Sequence, residues 1–159
     1  MPKSSPLSTT KIILYTDGGA RGNPGPAGAG AVILDAEERV LKEARQFLGE
    51  TTNNEAEYRA VIFGLETAKR HFGKKNLPDL QFELRLDSEL VASQLRGEYQ
   101  IKEKSLWPFF IKIWNLRATD FRHLTFVHVP RVENARADRL ANEAMDEGGA
   151  SSSLPWPES

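Results

Sequence analysis

A loop rich in glycine and proline constrains this chain more than any other feature of its sequence. It reads YTDGGARGNPGPAGAG at residues 15–30 and joins two apolar, strand-forming runs. A dinucleotide-binding loop leads from its glycines directly into a helix. Here Pro24 and Pro26 interrupt the loop, the strand-like run AVIL follows it, and no Gly-Lys-Ser/Thr motif is present. The loop therefore predicts a β-hairpin, with Asp17 at the end of its first strand and glycines that allow a backbone or ligand to come close.

The hydrophobic pattern predicts elements in the order β-β-β-α-β-α-α-β-α. The strand-like runs are KIILYT, AGAGAVILD, RVLKEARQFLG, QFELRLD and HLTFVHV, and the third also fits a short helix. The first long helix is expected after the capping pattern formed by Thr52 and Glu55, and the last helix near Asn134. This order predicts an α/β fold in which a mixed sheet, an antiparallel meander followed by crossover units, has helices on both faces.

Composition indicates one soluble domain of ordinary character. The chain has 159 residues, a formal net charge of −1 and no cysteine, which excludes disulfides and thiolate metal sites. No apolar run is long enough for a membrane span or a signal peptide, so a cytoplasmic location is expected. Residues 11–146 are predicted to form the domain, and the Ser-, Pro-, Gly- and Thr-rich segments 1–10 and 147–159, the latter with Trp156, to form flexible tails.

Four carboxylates stand where the predicted elements begin or end. Asp17 and Asp87 each end a strand, whereas Glu57 and Asp138 each lie near the start of a helix. Singly, each has an ordinary explanation: a turn for Asp17, favourable interaction with a helix dipole for Glu57 and Asp138, and an N-cap for Asp87, for which Ser88 competes. Glu57, however, heads the apolar stripe of its helix, so its carboxylate is predicted to face the core.

Together, the four acids predict a site for divalent cations. The carboxyl ends of strands and the starts of helices meet at one edge of such a sheet, where four carboxylates would repel one another. With no cysteine and only three histidines, hard oxygen ligands favour Mg²⁺, or Mn²⁺ as a substitute, over zinc. Four carboxylates can hold two such ions about 3.5–4 Å apart, an arrangement suited to phosphoryl displacement.

Four motifs, YTDGGARGNPGPAG, TTNNEAE, LDSELV and HVPRVENARADRLANEA, resemble ribonuclease H type 1 in order and spacing over roughly residues 11–146. The resemblance includes features of the bacterial and archaeal-like subgroups. It implies a ribonuclease H-like fold with a five-stranded mixed sheet, and Mg²⁺-dependent cleavage of the RNA strand of RNA–DNA hybrids. It also implies that the catalytic, metal-binding residues are Asp17, Glu57, Asp87 and Asp138.

The resemblance also implies a set of substrate-binding residues. By position, Asn23, Asn53 and Asn54 would lie at the minor groove of the hybrid, where amides suit 2′-hydroxyls and base edges. Thr52 would contact a phosphate of the DNA strand, and Asn134 would provide a polar contact beside the last acid. Turn and capping chemistry is the alternative explanation for the asparagines.

The chain departs from the family pattern in three places. Bacterial members carry a loop histidine before the last acid; a gap-free count places His128 there, whereas a shorter loop places Arg131 there, as in the archaeal-like motif HVPR. We predict that Arg131 is the functional residue and that His128 is mainly structural. A basic protrusion is missing, with Lys102 and Lys104 as its substitutes, and Glu50 stands where a basic residue often holds the DNA phosphate. These changes predict weaker binding and a steeper salt dependence.

The resulting hypothesis is a two-metal hydrolysis that leaves 5′-phosphate and 3′-hydroxyl ends. Asp17 would bridge both ions, Glu57 and Asp87 would hold the first, and Asp138 would help to hold the second. The alternatives are a junction resolvase-like nuclease of the same superfamily and a hybrid-binding module without activity, and duplex RNA is a candidate side substrate. The protein is expected to act as a monomer, away from membranes.

Overall fold

Within residues 10–153, the part of the chain that this computed structural model describes, nine helices and strands follow one another in the predicted order. Side chains are described up to residue 148. The elements are β1 (Thr10–Ala20), β2 (Gly25–Asp35), β3 (Val40–Thr51), α1 (Asn53–Phe72), β4 (Leu80–Leu86), α2 (Glu89–Leu95), α3 (Trp107–Thr119), β5 (Leu124–His128) and α4 (Ala135–Ser153). Short 3₁₀ turns at Lys74–Asp79, Lys104–Leu106 and Arg131–Asn134 precede β4, α3 and α4.

The five strands form one mixed sheet in the order β3-β2-β1-β4-β5. β1, β2 and β3 form an antiparallel meander, and β1, β4 and β5 run parallel to one another. The predicted fold is therefore confirmed, and the third apolar run is a strand rather than a helix. Because Tyr15 pairs with Arg85, the carboxyl ends of β1 and β4 reach the same edge of the sheet.

The alternation of side chains along β1 divides the interior between the two faces of the sheet. Ile12 and Leu14 belong to the larger apolar cluster, which α1, α2 and α3 cover. Ile13 packs on the other face with Val32 and with Leu140 of α4. Each face thus has helices, as the element order predicts.

Two glycines of β2 let α4 lie directly on the sheet. A Cβ atom at Gly30 would stand 2.3 Å from the carbonyl oxygen of Ala137, and one at Gly28 would stand 2.5 Å from that of Ala141. Real Cβ atoms do not come so close to another backbone, so these positions fix how deeply the first turns of α4 sit.

The ends of the domain differ from the predicted boundaries. β1 begins at Thr10, and α4 continues through Ser153 rather than ending near residue 146. Composition alone predicted a tail at the sequence EGG, but Gly148 is buried against the ring of Phe47 in β3, and this tertiary packing accompanies the continued helix. The remaining tail residues, 1–9 and 154–159 with Trp156, lie outside the described residues. Among the helices that the structure describes, none has the length and hydrophobicity needed to cross a bilayer.

Candidate active site

All four predicted acids line one open cleft of about 520 Å³ at the carboxyl edge of β1 and β4. Asp17, Glu57 and Asp87 each offer a carboxylate oxygen within 4.8 Å of the others. Asp138, which is half-buried in α4, lines the same cleft, and its charge helps to raise the pKa of Asp17. The structure therefore brings together four side chains that are up to 121 positions apart in the sequence, from Asp17 to Asp138.

The local backbone explains why these acids meet. The parallel register of β1 and β4 brings Asp17 level with Asp87. Gly18 lets α1 approach the end of β1, because a Cβ atom at this position would stand 2.1 Å from the carbonyl oxygen of Ala56. The next residue of the helix, Glu57, is thereby carried into the cleft.

Residues next to the acids, not the acids themselves, cap the two helices that begin at the cleft. Ser88 caps α2, since its Oγ accepts a hydrogen bond of 3.2 Å from the backbone N–H of Val91. Thr52 caps α1 in the same way, accepting from the N–H of Glu55 at 3.2 Å, as the capping pattern predicts. Asp87 is therefore not needed as a cap, and α1 already has an acid in its first turn.

The electrostatics of the cleft oppose ionisation of its buried carboxyl groups. Burial raises the pKa of Asp17, and the charges of Glu57, Asp87 and Asp138 raise it further. Burial and the charge of Asp87 also raise the pKa of Glu57, while a hydrogen bond from the backbone of Gly18 and the positive charge of Arg131 act in the opposite direction. A cation bound among these groups would relieve the repulsion.

The donor set fits a hard divalent cation. Within the described part of the chain, the Oε1 atom of Glu57 is buried and has no hydrogen-bond partner, which is costly for a carboxylate oxygen unless a ligand completes it. The surrounding ligands are carboxylate oxygens, the atoms that Mg²⁺ and Mn²⁺ prefer.

Asn134 lies beside the acids, as predicted, but its side chain is buried. Its side chain is 1% exposed and donates hydrogen bonds from Nδ2 to the carbonyl oxygen of Thr16 (3.0 Å) and to Oδ2 of Asp87 (2.8 Å). It ends the 3₁₀ turn before α4, and its contact with the substrate stays a prediction that this burial does not favour. The residue is near the site as predicted, but its amide is used to hold Asp87.

The other predicted contacts lie at or beside the rim of the cleft. Asn53 and Asn54, at the start of α1, line it directly. The Oδ1 atom of exposed Asn23 accepts from the backbone N–H of Asn53 (3.0 Å), and the Oδ1 atom of Asn53 accepts from that of Ala20 (2.9 Å). The capping alternative is thus realised through the oxygens, which leaves the NH₂ group of each of these two side chains as a donor for a ligand.

Arg131 and His128 lie in different surroundings. The residues of the described chain that line the cleft include Arg131 but not His128. His128 is exposed at the end of β5, where it pairs with Leu86, as the strand pattern predicts. The assignment of a functional role to Arg131 stays a prediction that this placement favours.

Of the two lysines predicted to substitute for a basic protrusion, Lys102 lies next to the cleft. Lys102 lines an adjoining groove that also includes Asn54, and the ammonium group of Lys104 lies 5.7 Å from the ring centroid of Trp107. Glu50 is exposed on β3. Their effect on binding stays a prediction.

Sequence reasoning missed two polar residues of the cleft, Arg21 and Asn142. Arg21 lies in the hairpin loop, and Asn142 lies one turn after Asp138 in α4. A single basic residue among the glycines and prolines of the loop was the available signal for Arg21, whereas no local pattern distinguishes Asn142.

Comparison with known proteins assigns the chain to a family. Residues 15–144 match the family described as reverse transcriptase-like. A ribonuclease H of Methylococcus capsulatus is 33% identical over 91% of this chain and 95% of its own length. LC11-RNase H1, whose crystal structure was determined in complex with an RNA/DNA hybrid, is 51% identical in sequence to this chain. The two structures superpose with a TM-score of 0.83, and the match covers 86% of this chain and 98% of that one. The chain therefore belongs to the ribonuclease H family, as its motifs predict.

A longer relative contains a similar segment. A bifunctional protein of Mycobacterium tuberculosis is 42% identical over 86% of this chain, but the chain spans only 36% of that protein's length.

Proposed function

We propose that this chain is an endoribonuclease that hydrolyses the RNA strand of RNA–DNA hybrids and leaves 5′-phosphate and 3′-hydroxyl ends. The observation that carries the proposal is the convergence of Asp17, Glu57, Asp87 and Asp138 in a single cleft whose rim holds paired asparagines. It is supported by LC11-RNase H1, which is 51% identical and whose crystal structure contains an RNA/DNA hybrid.

The proposed cofactor is Mg²⁺, two ions per site, with Mn²⁺ as a substitute. Support comes from the three carboxylate oxygens within 4.8 Å of one another and from the unpartnered Oε1 atom of Glu57. Asp17 is central to the group, Glu57 and Asp87 stand beside it, and Asp138 reaches it from α4. Divalent ions held there would activate the attacking water and stabilise the leaving 3′-oxygen.

Residues in and beside the cleft would position these acids and the substrate. Asn134 holds Oδ2 of Asp87 through a hydrogen bond of 2.8 Å, which leaves the other oxygen of this carboxylate to a ligand. Arg131 supplies positive charge for the scissile or product phosphate and, because it does not lose its proton, is not a general base. In this proposal His128 takes no part in the chemistry.

Recognition of the hybrid would fall to the first turn of α1 and the tip of the hairpin. The amides of Asn23, Asn53 and Asn54 can donate to 2′-hydroxyl oxygens and base edges in the minor groove. Thr52 uses its hydroxyl oxygen as an acceptor in the cap, so its O–H remains free to donate to a phosphate of the DNA strand.

The direct test is incubation of the purified protein with end-labelled RNA–DNA hybrid, duplex RNA, duplex DNA and a four-way DNA junction, each with Mg²⁺, with Mn²⁺ and with EDTA. We expect metal-dependent cutting of the RNA strand of the hybrid, with 5′-phosphate ends on the products. Cutting of the junction alone would support a resolvase, and binding without cutting would support a silent module. Cutting of duplex RNA beside the hybrid would establish the side activity.

Cytoplasmic location and a monomeric state belong to the same proposal. All four acids come from one chain, so the site is complete without a second copy. Cell fractionation and light scattering test the two statements.

A further inference from the structure

The tip of the β1–β2 hairpin, residues 21–24, carries Asn23 and is closed by a hydrogen bond of 2.8 Å from the backbone N–H of Arg21 to the carbonyl oxygen of Pro26. One side of this hairpin tip is tied to α1. The backbone N–H of Ala20 donates to Oδ1 of Asn53 at 2.9 Å, and the backbone N–H of Asn53 donates to Oδ1 of Asn23 at 3.0 Å. These hydrogen bonds determine where Asn23 stands relative to the first turn of α1.

The other side of the hairpin tip is tied to α4 by Arg21. One nitrogen of its guanidinium group forms an ion pair of 2.6 Å with Oδ1 of Asp146. A second nitrogen, Nη2, donates to the backbone oxygen (3.3 Å) and to the side-chain oxygen (3.2 Å) of Asn142. The planar donor fork of arginine suits this multiple contact, which a lysine would reproduce only in part.

Of the two partners in this contact, α4 is the fixed one. Its first turns are held against β2 by the close approaches at Gly28 and Gly30. Asn142 also donates from Nδ2 to the backbone oxygen of Asp138 at 3.0 Å. The anchor of Arg21 therefore lies one turn from a residue of the acidic group.

We propose that Arg21 is a positioning residue that holds the hairpin tip between α1 and α4 and so sets the distance from Asn23 to the four acids. This role rests on the proposed hybrid nuclease function: by setting that distance, Arg21 would determine which phosphate of the RNA strand meets the acids while Asn23 contacts the minor groove. A direct contact between Arg21 and a substrate phosphate is the competing explanation, because Arg21 also lines the cleft.

The first test needs no activity. In hydrogen exchange followed by NMR, we expect Arg21→Ala to speed exchange of the Ala20 and Asn53 amides about fivefold, the size of effect that loss of an exposed ion pair permits. The matched control is Arg45→Ala, because Arg45 also ties a strand to α4, through Glu147, but does not line the cleft. Unchanged exchange of these amides in Arg21→Ala would overturn the proposal.

The second test separates positioning from direct contact. We expect Arg21→Ala to raise KM for a hybrid of defined sequence about fivefold, to spread the cuts over neighbouring phosphates, and to leave kcat within about twofold. Arg21→Lys should recover part of the loss, and Arg45→Ala should match the wild type. Asp146→Asn should change KM and the cutting pattern in the same direction as Arg21→Ala, but less, because Asn142 still binds Arg21.

A fall in KM in Asp146→Asn, with an unchanged cutting pattern in Arg21→Ala, would assign Arg21 to the substrate and overturn the positioning role. If the wild type does not cut the hybrid at all, the proposed function fails, and the exchange experiment alone decides whether Arg21 holds the hairpin tip.

Discussion

Among the side chains that the structure describes, acidic groups are buried in two places, and their surroundings differ. At the carboxyl edge of the sheet, Asp17 and Glu57 are 7% and 9% exposed and face other carboxylates. At the start of the loop between α3 and β5, Asp120 is 4% exposed, and its Oδ2 atom lies 2.8 Å from Nζ of Lys69 in α1. Lys74 lies 4.0 Å from its other oxygen.

The contrast separates structural charge from functional charge. At Asp120 the fold supplies its own cation: Lys69 binds Oδ2 and balances the charge, although Oδ1 is buried and has no hydrogen-bond partner among the described residues. In the cleft, Arg131 is the cation that acts on Glu57, and the four acids outnumber it. Lys69, in the last turn of α1, thus neutralises a buried acid.

Removing one acid from each place should give opposite results, and the largest effect is expected in the cleft. Asp17→Asn should lower turnover of hybrid about 10³-fold or more, because the central ligand is lost. The melting temperature should stay the same or rise, since one source of repulsion is gone. Single-turnover cleavage and thermal melts measure the two quantities. Asp35→Asn, at the far end of β2, is the control and should keep full activity.

Asp120→Asn should instead cost stability and preserve chemistry. The substitution removes the negative charge that pairs with Lys69 and leaves the lysine without its partner. We expect this loss to lower the free energy of unfolding by about 2–3 kcal/mol. Urea titration at neutral pH gives this value, and kcat at 20–25 °C should remain within about twofold. Glu66→Gln breaks the exposed pair with Lys112 and should cost less than about 0.5 kcal/mol. A comparable loss in both variants would remove the distinction drawn for Asp120.

The metal-free protein should become less stable as pH rises, because of the cleft. The raised pKa values of Asp17 and Glu57 mean that the native state binds more protons than the unfolded state. Their contribution is therefore lost above the ordinary carboxyl range near pH 4, with a slope of up to about 1.4 kcal/mol per pH unit for each group. In EDTA, the stability advantage of Glu57→Gln over the wild type should grow with pH, as urea titrations from pH 4 to 8 would measure.

Two controls test whether the pH dependence of stability comes from the carboxylates of the cleft. Glu55→Gln, two residues earlier on the same helix and paired with Arg59, should show no such growth with pH. Millimolar Mg²⁺ or Mn²⁺ should raise the melting temperature of the wild type at neutral pH and should raise that of Asp17→Asn far less, because only ligands of the native state stabilise it. An equal response of both proteins to metal would place the ions elsewhere.

The smallest effect concerns Arg131, whose charge acts on Glu57 in the cleft. Arg131→Ala should lower kcat for the hybrid about fivefold, an effect of about 1 kcal/mol, because charge near the phosphate is lost while the carboxylates remain. His128→Ala should change kcat by less than about twofold. Steady-state kinetics at saturating hybrid distinguishes the two residues, and the reverse ranking would return the role to His128.

Local patterns in the sequence were sufficient for the elements and for the identities of the four acids. Period-two and helical spacing indicate which segments are strands and helices, and the carboxylates stand at the ends of those segments. The same reasoning did not indicate that Asn134 is buried and donates to Asp87, because whether an amide faces solvent or a neighbouring acid depends on how β1, β4 and α4 come together. It ended α4 too early for a similar reason, since the contact of Gly148 with Phe47 joins residues about 100 positions apart.

The sequence by itself determined the order of strands and helices, the hairpin after Asp17 and the family to which its motifs belong, because propensity, periodicity and motif spacing are local properties. Only the tertiary structure decided which charges are balanced and which are not. Asp120 meets a lysine and Arg21 meets Asp146, whereas Asp17 meets other acids. Those pairings depend on distances between remote segments, which sheet register and close backbone contacts at glycines set.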